Sequence, residues 1–402
     1  MRRWLPKIFL ILAGVLFALV LCEIGLGLFG IEYPQFYEFD PVVGARLRPG
    51  VKGYWLKEGG GYVSINGDGL RDREHAIVKP PNTLRIAVLG DSFAEAFQVN
   101  QKDTFFAVME KELQRCGNLE GRNIEVINFG VSGFGTTQEL LTLRTRVWKY
   151  SPDIVLLAFV TGNDVSDNSP TLNRRDSCPF LVLQDGKLVS DNSRLKGLEN
   201  FPMPYEEPHT WLGRTESKIR GKIRGWRNNS SRIFQLIDRV QEMLQERRSA
   251  KEAQETKQGL AGAGMFTATY REPKDEDWKE AWKITEAVLL KMRDEVVEGG
   301  ARFDVVVLSN DIQVKPDPTE RRLLGVEDMF YPDHRVERFC HSHDIPVLLL
   351  APTFLEYATQ HQAFLHGFRT LFRNTLGTGH WNRNGHRLAG QTIANWLCPQ
   401  IQ

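Results

Sequence analysis

The chain has 402 residues, enough to bury a large core as one domain with an insertion or as two ordinary domains. Its 51 Lys and Arg residues almost balance its 50 Asp and Glu residues, and 42% of the chain is hydrophobic, which is ordinary globular composition. The near-zero net charge argues against a dedicated nucleic-acid-binding protein, so no nucleic acid is expected among its partners.

The amino terminus departs from this average composition. Three basic residues in "MRRWLPK" precede an apolar stretch, residues 8–31, that a single charge at Glu23 interrupts. A stretch of about 24 residues can cross a hydrocarbon core of about 30 Å as a helix. Because the basic residues flank its amino side, residues 1–31 are predicted to form a cytoplasmic stub and a transmembrane anchor. The rest of the chain is then expected on the extracytoplasmic side, periplasmic or outer.

Other interpretations of this stretch fit less well. A cleaved signal peptide should end in a small-residue site, which "LVLCEIGLG" does not offer. A lipoprotein would need small residues before Cys22, where Val20 and Leu21 stand. A buried core helix does not fit the terminal position with its basic flank. The uncleaved anchor is therefore favoured.

Four cysteines follow the predicted anchor: Cys116, Cys178, Cys340 and Cys398. An oxidising compartment would allow three pairings among them, and free buried thiols are an equal alternative. No C-x-x-C or H-x-x-x-H pair is present, so there is no zinc signature. No metal and no organic cofactor are expected.

The segment 32–83 is rich in Gly, Pro and Tyr and predicts short strands and turns that pack on a main domain. Beyond it, apolar runs rich in branched residues predict five buried parallel strands. These runs are "LRIAVLG" from Leu84, "IEVIN" from Ile124, "DIVLLAF" from Asp153, "FDVVVLS" from Phe303 and "IPVLLL" from Ile345. Helical patterns alternate with them. The sequence therefore predicts a three-layer α/β/α domain, residues 84–165 and 281–402, around a five-stranded parallel sheet.

The alternation breaks in residues 166–280, which we interpret as an insertion acting as a lid or substrate platform. It holds a predicted hairpin, "FLVLQDGKLVS", a long basic helical region from Trp211 to about Gln258, and a linker, "GLAGAG". The basic helix either rests on anionic lipid headgroups near the anchor or presents a solvated face. Its thin apolar face favours the second alternative.

Polar residues follow the predicted strands at the sheet edge where open parallel sheets bind ligands. "GDSFAEAF" places Ser92 after the first strand, "NFGVSGFGT" places Gly133 after the second, and "VTGNDVSDN" places Asn163 after the third. "LGTGHWNRNGHRLAG" adds His380 after the last strand. A serine, N–H donors from backbone and amide, and a histidine are what acyl transfer needs as nucleophile, oxyanion hole and base.

"GDSF", "NFGVSG", "GND" and "GHWNRNGH", in this order, resemble the four sequence blocks of the SGNH hydrolases, the GDSL-like lipase and esterase superfamily. The resemblance covers about residues 84–163 and 301–397, and it implies a flavodoxin-like fold. It further implies roles for four residues: nucleophile, Ser92; base, His380; oxyanion hole, Ser92, Gly133 and Asn163.

The acid of the family's triad is missing from its usual place. Members usually have an aspartate two or three residues before the histidine, where this chain has Thr378 and Gly377. Either a Ser-His dyad works without an acid, or Asp164 or Asp311, each following a predicted strand, orients the histidine. His386 is a competing base, but packing of the predicted last helix explains it better.

The expected function is that of a membrane-anchored extracytoplasmic serine esterase. Its partners would be an ester-bearing small molecule, lipid or glycan, and the membrane through residues 8–31. One alternative is a polysaccharide O-acetyltransferase on the same fold. Another is a catalytically weak module that binds the envelope or carbohydrate. A phosphate-binding domain using "GVSGFG" is disfavoured because the lysine and spacing of a P-loop are missing.

Overall fold

The structure is a computed structural model that describes residues 5–119, 121–173, 175, 178–196, 231–255, 268–319, 322, 325–370 and 374–401. Residues 211–230 and 256–258 of the predicted basic helical region lie outside the described residues. The predicted linker, residues 259–264, lies outside them as well.

An amino-terminal helix, α1 (Leu5–Leu28), carries the predicted apolar stretch. From Pro6 to Leu28 it is long and apolar enough to cross a membrane, a property that a signal sequence would share. None of its apolar window is buried against the protein. A helix of the length and composition that a membrane anchor needs is therefore present, and its apolar side chains are not covered by the rest of the protein.

Two small antiparallel hairpins follow α1. Strand β1 (Tyr37–Asp40) pairs with β2 (Gly44–Leu47), and β3 (Lys52–Tyr54) pairs with β4 (Tyr62–Ser64). Their apolar side chains share one buried cluster with three residues of the main domain. Its members are Phe36, Val43, Leu47, Val63, Ile65, Phe97, Val131 and Phe134. The lead-in segment is thus packed against the loops that follow the first two strands of the central sheet.

The remaining strands are β5 (Thr83–Gly90), β6 (Asn123–Asn128), β7 (Ile154–Val160), β8 (Phe180–Gln184), β9 (Lys187–Asp191), β10 (Arg302–Leu308) and β11 (Val347–Leu349). Strands β8 and β9 form an antiparallel hairpin in the insertion. The other five form one parallel sheet in the order β6–β5–β7–β10–β11. This is the flavodoxin-like order, in which the first two strands are exchanged. The predicted five-stranded parallel sheet is confirmed.

The helices that follow α1 are α2 (Ser92–Glu95), α3 (Phe105–Leu113), α4 (Thr136–Thr142), α5 (Asp164–Asp167), α6 (Arg232–Glu255), α7 (Glu276–Glu298), α8 (Tyr331–His341), α9 (Ala351–His361) and α10 (Arg383–Leu397). Successive residues of a strand point to opposite faces of a sheet. Accordingly, Ala87 and Leu89 of β5 pack with α4, α7 and α8, whereas Ile86 and Val88 pack with α3, α9 and α10. The predicted three layers are confirmed.

One disulfide joins the carboxyl ends of α3 and α10, between Cys116 and Cys398. Cys178 and Cys340 are buried free thiols, and Cys22 is exposed on α1. Of the alternatives left open by the sequence, the structure therefore has one bond and two free thiols. The bond connects positions 282 residues apart and so links the start of the domain to its end.

Reducing this bond should destabilise the domain, because a cross-link between distant positions restricts the unfolded chain. We expect the Cys116→Ser/Cys398→Ser variant to lose about 2–5 kcal/mol of unfolding free energy. Urea unfolding of the full chain in detergent, with and without reductant, measures the change. Reductant should have no further effect on the double variant, and equal stability of wild type and variant would contradict the prediction.

Candidate active site

Ser92 lies at the turn between β5 and α2, at the carboxyl edge of the sheet. Asp91 caps α2, and its Oδ1 accepts a hydrogen bond from the Phe93 backbone N–H at 2.9 Å. The turn is tight, because a Cβ at Gly90 would lie 2.8 Å from the Ala94 Cβ. The Ser92 hydroxyl is thereby presented at the point where parallel sheets bind ligands.

His380 faces this serine from a turn that precedes α10. Its Nε2 lies 2.7 Å from the Ser92 Oγ, although the two residues are 288 positions apart in the chain. Asn382 caps α10, accepting hydrogen bonds from the N–H groups of Asn384 and Gly385. The sheet topology therefore brings together the two residues that the sequence analysis paired.

Glu58 is the third residue of the hydrogen-bonded series that includes Ser92 and His380. It belongs to the lead-in segment, between β3 and β4. Its Oε2 lies 2.5 Å from the His380 Nδ1, and its Oε1 accepts the His380 backbone N–H at 3.1 Å. A carboxylate at Nδ1 requires a proton there, which leaves Nε2 as the acceptor for the serine hydroxyl. Glu58 thus holds both the ring and the backbone of the histidine.

Glycines allow Glu58 to reach this position. A Cβ at Gly59 would lie 2.2 Å from the Gln98 carbonyl oxygen, and one at Gly61 would lie 2.5 Å from that of Phe97. Gly379 has φ +78°, and a Cβ there would lie 2.5 Å from Glu58 Oε1. "EGGG" and the glycine before His380 are therefore both needed for the carboxylate to approach the histidine.

The expectation that Asp164 or Asp311 orients His380 is corrected by these contacts. Asp164 is fully buried beneath the end of β7, where its Oδ2 accepts the Val160 N–H at 2.7 Å. Burial raises its pKa well above the usual value, and the nearby Glu139 and Asp91 carboxyls raise it further. Asp311 is on the correct side of the sheet, but its Oδ2 accepts the Gly379 N–H at 2.8 Å and so fixes the turn rather than the ring.

The loops of the predicted oxyanion hole are tied to the nucleophile turn by two buried carboxyls. Asp91 Oδ2 accepts from the Asn163 side-chain amide at 2.8 Å, and Glu95 Oε1 accepts from the Ser132 N–H at 3.0 Å. Asp91 precedes Ser92 and Glu95 ends α2, so these bonds hold Asn163 and Ser132, the residue before Gly133, at the same edge as the serine.

The predicted oxyanion donors at this edge differ in whether they already hydrogen-bond the protein. In the hydrogen bonds found among the described residues, neither the Ser92 nor the Gly133 backbone N–H donates to another protein group. The Asn163 side-chain amide donates to Asp91 at 2.8 Å and also hydrogen-bonds the Asp167 carboxyl. Gly133 has φ +83°, and its carbonyl oxygen accepts from the Arg175 guanidinium. The backbone N–H groups of Ser92 and Gly133 thus have no acceptor among the described residues. The oxyanion role of Ser92, Gly133 and Asn163 stays a prediction.

Electrostatics favour a charged imidazolium when the serine proton is transferred. Burial lowers the pKa of His380, but the hydrogen bond and charge of Glu58 outweigh it, with further contributions from Asp91 and Glu95, so the pKa is raised. Burial raises the pKa of Glu95 to about 7, even though the N–H of Ser132 and the hydroxyl of Tyr37 donate to its carboxylate.

Two other histidines near the site have structural roles. His386 is buried in α10, and its Nδ1 accepts the first N–H of α3, from Phe105, at 3.3 Å. Burial lowers its pKa to about 3. His366, whose pKa burial lowers to about 4, donates from Nδ1 to the Gly379 carbonyl at 2.6 Å. Neither ring contacts Ser92, so His380 is the base candidate.

Sequence reasoning missed Glu58, and it missed Arg175 on the Gly133 carbonyl. Glu58 lies outside the region of family resemblance, on a segment without regular periodicity. Two signals were available in the sequence. One is an acid followed by three glycines, and the other is Gly377 at a position where the family usually has the aspartate of the triad. Among the described residues, no group of His, Cys, Asp and Glu side chains could hold a metal ion.

No protein-family model matches the sequence, and no curated protein matches it. Solved structures do match. An acetyl xylan esterase, AlAXEase, is 12% identical with a TM-score of 0.37, and the match covers 79% of this chain and 100% of the other. A lipase/acylhydrolase from Enterococcus faecalis is 13% identical with a TM-score of 0.38, covering 79% and 97%. A protein described as lipolytic and of the G-D-S-L family, from Desulfitobacterium hafniense DCB-2, is 10% identical with a TM-score of 0.33, covering 77% and 98%.

Replacing Glu58 by glutamine should lower the pKa of His380. The amide keeps an acceptor at Nδ1 but removes the charge, so burial, which disfavours the imidazolium, then dominates. We expect a raised His380 pKa in the wild type and a value below the usual imidazole value of about 6.5 in the variant. Imidazole NMR titration of histidine-labelled full chain measures both, with the signal assigned by His380→Asn.

The matched control is Glu38→Gln, which removes a carboxylate from the same lead-in segment where it pairs with Arg46 at the surface. It should leave the His380 pKa unchanged. A Glu58→Gln variant with the wild-type His380 pKa would show that Glu58 is not the partner of this ring in solution.

Proposed function

We propose that this chain is a membrane-anchored extracytoplasmic serine esterase in which Ser92 is the nucleophile, His380 the base and Glu58 the acid that orients it. The observation that carries the proposal is the continuous line of hydrogen bonds from Glu58 Oε2 through His380 to Ser92 Oγ, at 2.5 and 2.7 Å. Serine hydroxyls are weak nucleophiles unless a base takes their proton, and this line supplies that base with its orienting group.

The acylation step follows from this geometry. The Ser92 Oγ attacks the carbonyl carbon of the ester while His380 Nε2 takes the hydroxyl proton. The oxyanion that forms accepts hydrogen bonds from the donors at Ser92, Gly133 and Asn163. Such a donor typically contributes about 3 kcal/mol to transition-state stabilisation. As the bond to the alkoxy oxygen breaks, Nε2 returns the proton to the leaving alcohol and the acyl group stays on Oγ.

In the second step His380 Nε2 takes a proton from water, whose oxygen attacks the acyl carbon. The tetrahedral species collapses, the acid leaves, and the proton returns to Ser92 Oγ. A sugar hydroxyl could replace the water by the same chemistry, which would make the enzyme an acyltransferase. None of these steps requires a metal or an organic cofactor.

Two observations support the proposed location. The apolar helix α1 follows a basic start, the pattern of an anchor whose amino end is cytoplasmic. The disulfide between Cys116 and Cys398 is of a kind that persists in oxidising compartments outside the cytoplasm. The anchor would hold the site near esters of the envelope, either O-acyl groups of a glycan or acyl groups of a lipid.

Solvent reaches the proposed base, as access of an ester to the site requires. The His380 side chain is 28% exposed although its ring holds both partners. The alternative of a catalytically weak binding module depended on the absence of a carboxylate for His380, and Glu58 weakens it.

A fluorophosphonate ester probe should label the detergent-solubilised protein at Ser92. Ser92→Ala and His380→Ala should each reduce labelling by at least about 10³-fold, because nucleophile and base act as a unit. Labelling should also fall as the pH drops through the pKa of His380, since only the neutral imidazole accepts the serine proton. Gel fluorescence and mass spectrometry of the labelled peptide measure both effects.

The control for this experiment is Ser342→Ala, a substitution of an exposed serine after α8, which should label like the wild type. Absence of labelling in a wild-type protein that unfolds cooperatively would refute the proposed esterase mechanism.

Hydrolysis and transfer can be separated with a short-chain nitrophenyl ester. For the proposed esterase, free acid should form in equal amount to nitrophenol, with or without an oligosaccharide acceptor. Chromatography of the products, with Ser92→Ala as the blank, measures this ratio. Acylated oligosaccharide appearing at the expense of free acid would instead support the acetyltransferase alternative.

A further inference from the structure

Helix α6 exposes apolar residues and buries polar ones over its first turns, the reverse of an ordinary surface helix. Ile237, Val240 and Leu244, spaced three and four apart, are 42%, 46% and 52% exposed. Gln235 and Asp238 on the opposite face are 8% and 6% exposed. The side that meets water in most proteins therefore faces inward here, and the apolar side faces out.

The polar face of α6 is used for contacts with the lead-in segment. Gln235 Oε1 accepts the Tyr33 N–H at 2.9 Å, and the Arg239 guanidinium donates to the Leu56 carbonyl at 2.8 Å. A polar cavity of about 260 Å³ lies on the same inner side. Acidic and basic side chains line it, including those of Glu32, Arg48, Lys52 and Arg232. These contacts fix the rotation of the helix, so the apolar face cannot turn inward without breaking them.

Helix α6 begins at the carboxyl-terminal turns of α1. Glu23, the charge that interrupts the apolar stretch, accepts the Arg232 N–H at 2.7 Å and the Ser231 hydroxyl at 2.8 Å. It thereby caps the amino terminus of α6. The exposed apolar surface of α1 and that of α6 thus meet at one junction, held by this cap.

We infer that the face of α6 formed by Ile237, Val240 and Leu244 lies against the lipid bilayer beside the anchor. From Arg232 to Leu244 the helix extends about 18 Å, long enough for an interfacial contact. A helix with an apolar face in the acyl boundary and polar groups above it is the usual form of an interfacial helix. This inference rests on the proposed anchor and not on the proposed esterase chemistry.

Photochemical labelling from the lipid tests this contact on the full chain. The protein is reconstituted in phosphatidylcholine and phosphatidylglycerol vesicles that contain a phospholipid with a diazirine on its acyl chain, and adducts are mapped by mass spectrometry. We expect adducts at residues 237–244 in addition to residues 6–28. Val78 and Val297, which are 83% and 61% exposed elsewhere on the protein, are the controls and should carry at least tenfold fewer adducts.

A variant carrying Ile237→Glu, Val240→Glu and Leu244→Glu should carry at least fivefold fewer adducts in α6 than the wild type. Its adducts in residues 6–28 should be unchanged. Its fluorophosphonate labelling reports separately whether the site is intact, so failure of the esterase proposal is distinguishable from failure of this one. Adducts restricted to residues 6–28 would overturn the inference. So would a number of lipid adducts in residues 237–244 no greater than at Val78 and Val297.

Discussion

The contact between Glu58 and His380 is the interaction on which the proposed chemistry depends. It sets the tautomer that lets Nε2 accept the serine proton, and its second oxygen fixes the backbone of the same residue. The contact exists only because the lead-in segment packs through Phe36 and Val63 on Phe97 of the main domain. Burial of a small apolar cluster and orientation of the base are therefore parts of one arrangement.

The environment decides which of the many carboxyls near the site can act on the histidine. Asp164 is buried at the end of β7, where burial and the nearby Glu139 and Asp91 carboxyls raise its pKa and disfavour its charge. Glu58 is 21% exposed and faces the imidazole, so its charge is stabilised by solvent and by the imidazolium it helps to form. Asp91 and Glu95, buried on either side of Ser92, instead tie the neighbouring loops to the nucleophile turn.

Regular periodicity allowed the sheet and its polar edge to be predicted. The runs around Leu84 and Asp153 are buried parallel strands, and the serine and histidine that follow distant strands meet as that topology requires. Glu58 could not be found in the same way, because its segment has no period and its position depends on tertiary packing and on glycines at 59, 61 and 379. The pairing of Cys116 with Cys398 likewise depends on how α3 meets α10.

The order of the three residues along the chain has a practical meaning. The carboxylate precedes the serine, and the histidine comes last. Glu58 therefore lies in the chain between the apolar amino-terminal helix and the first strand of the parallel sheet. A shortened chain that starts at Leu84, the point where the family resemblance begins, would retain Ser92 and His380 and all of the parallel sheet except Thr83. It would lack the group that orients the histidine, and it would also expose the apolar residues Phe97, Val131 and Phe134 that the lead-in segment covers.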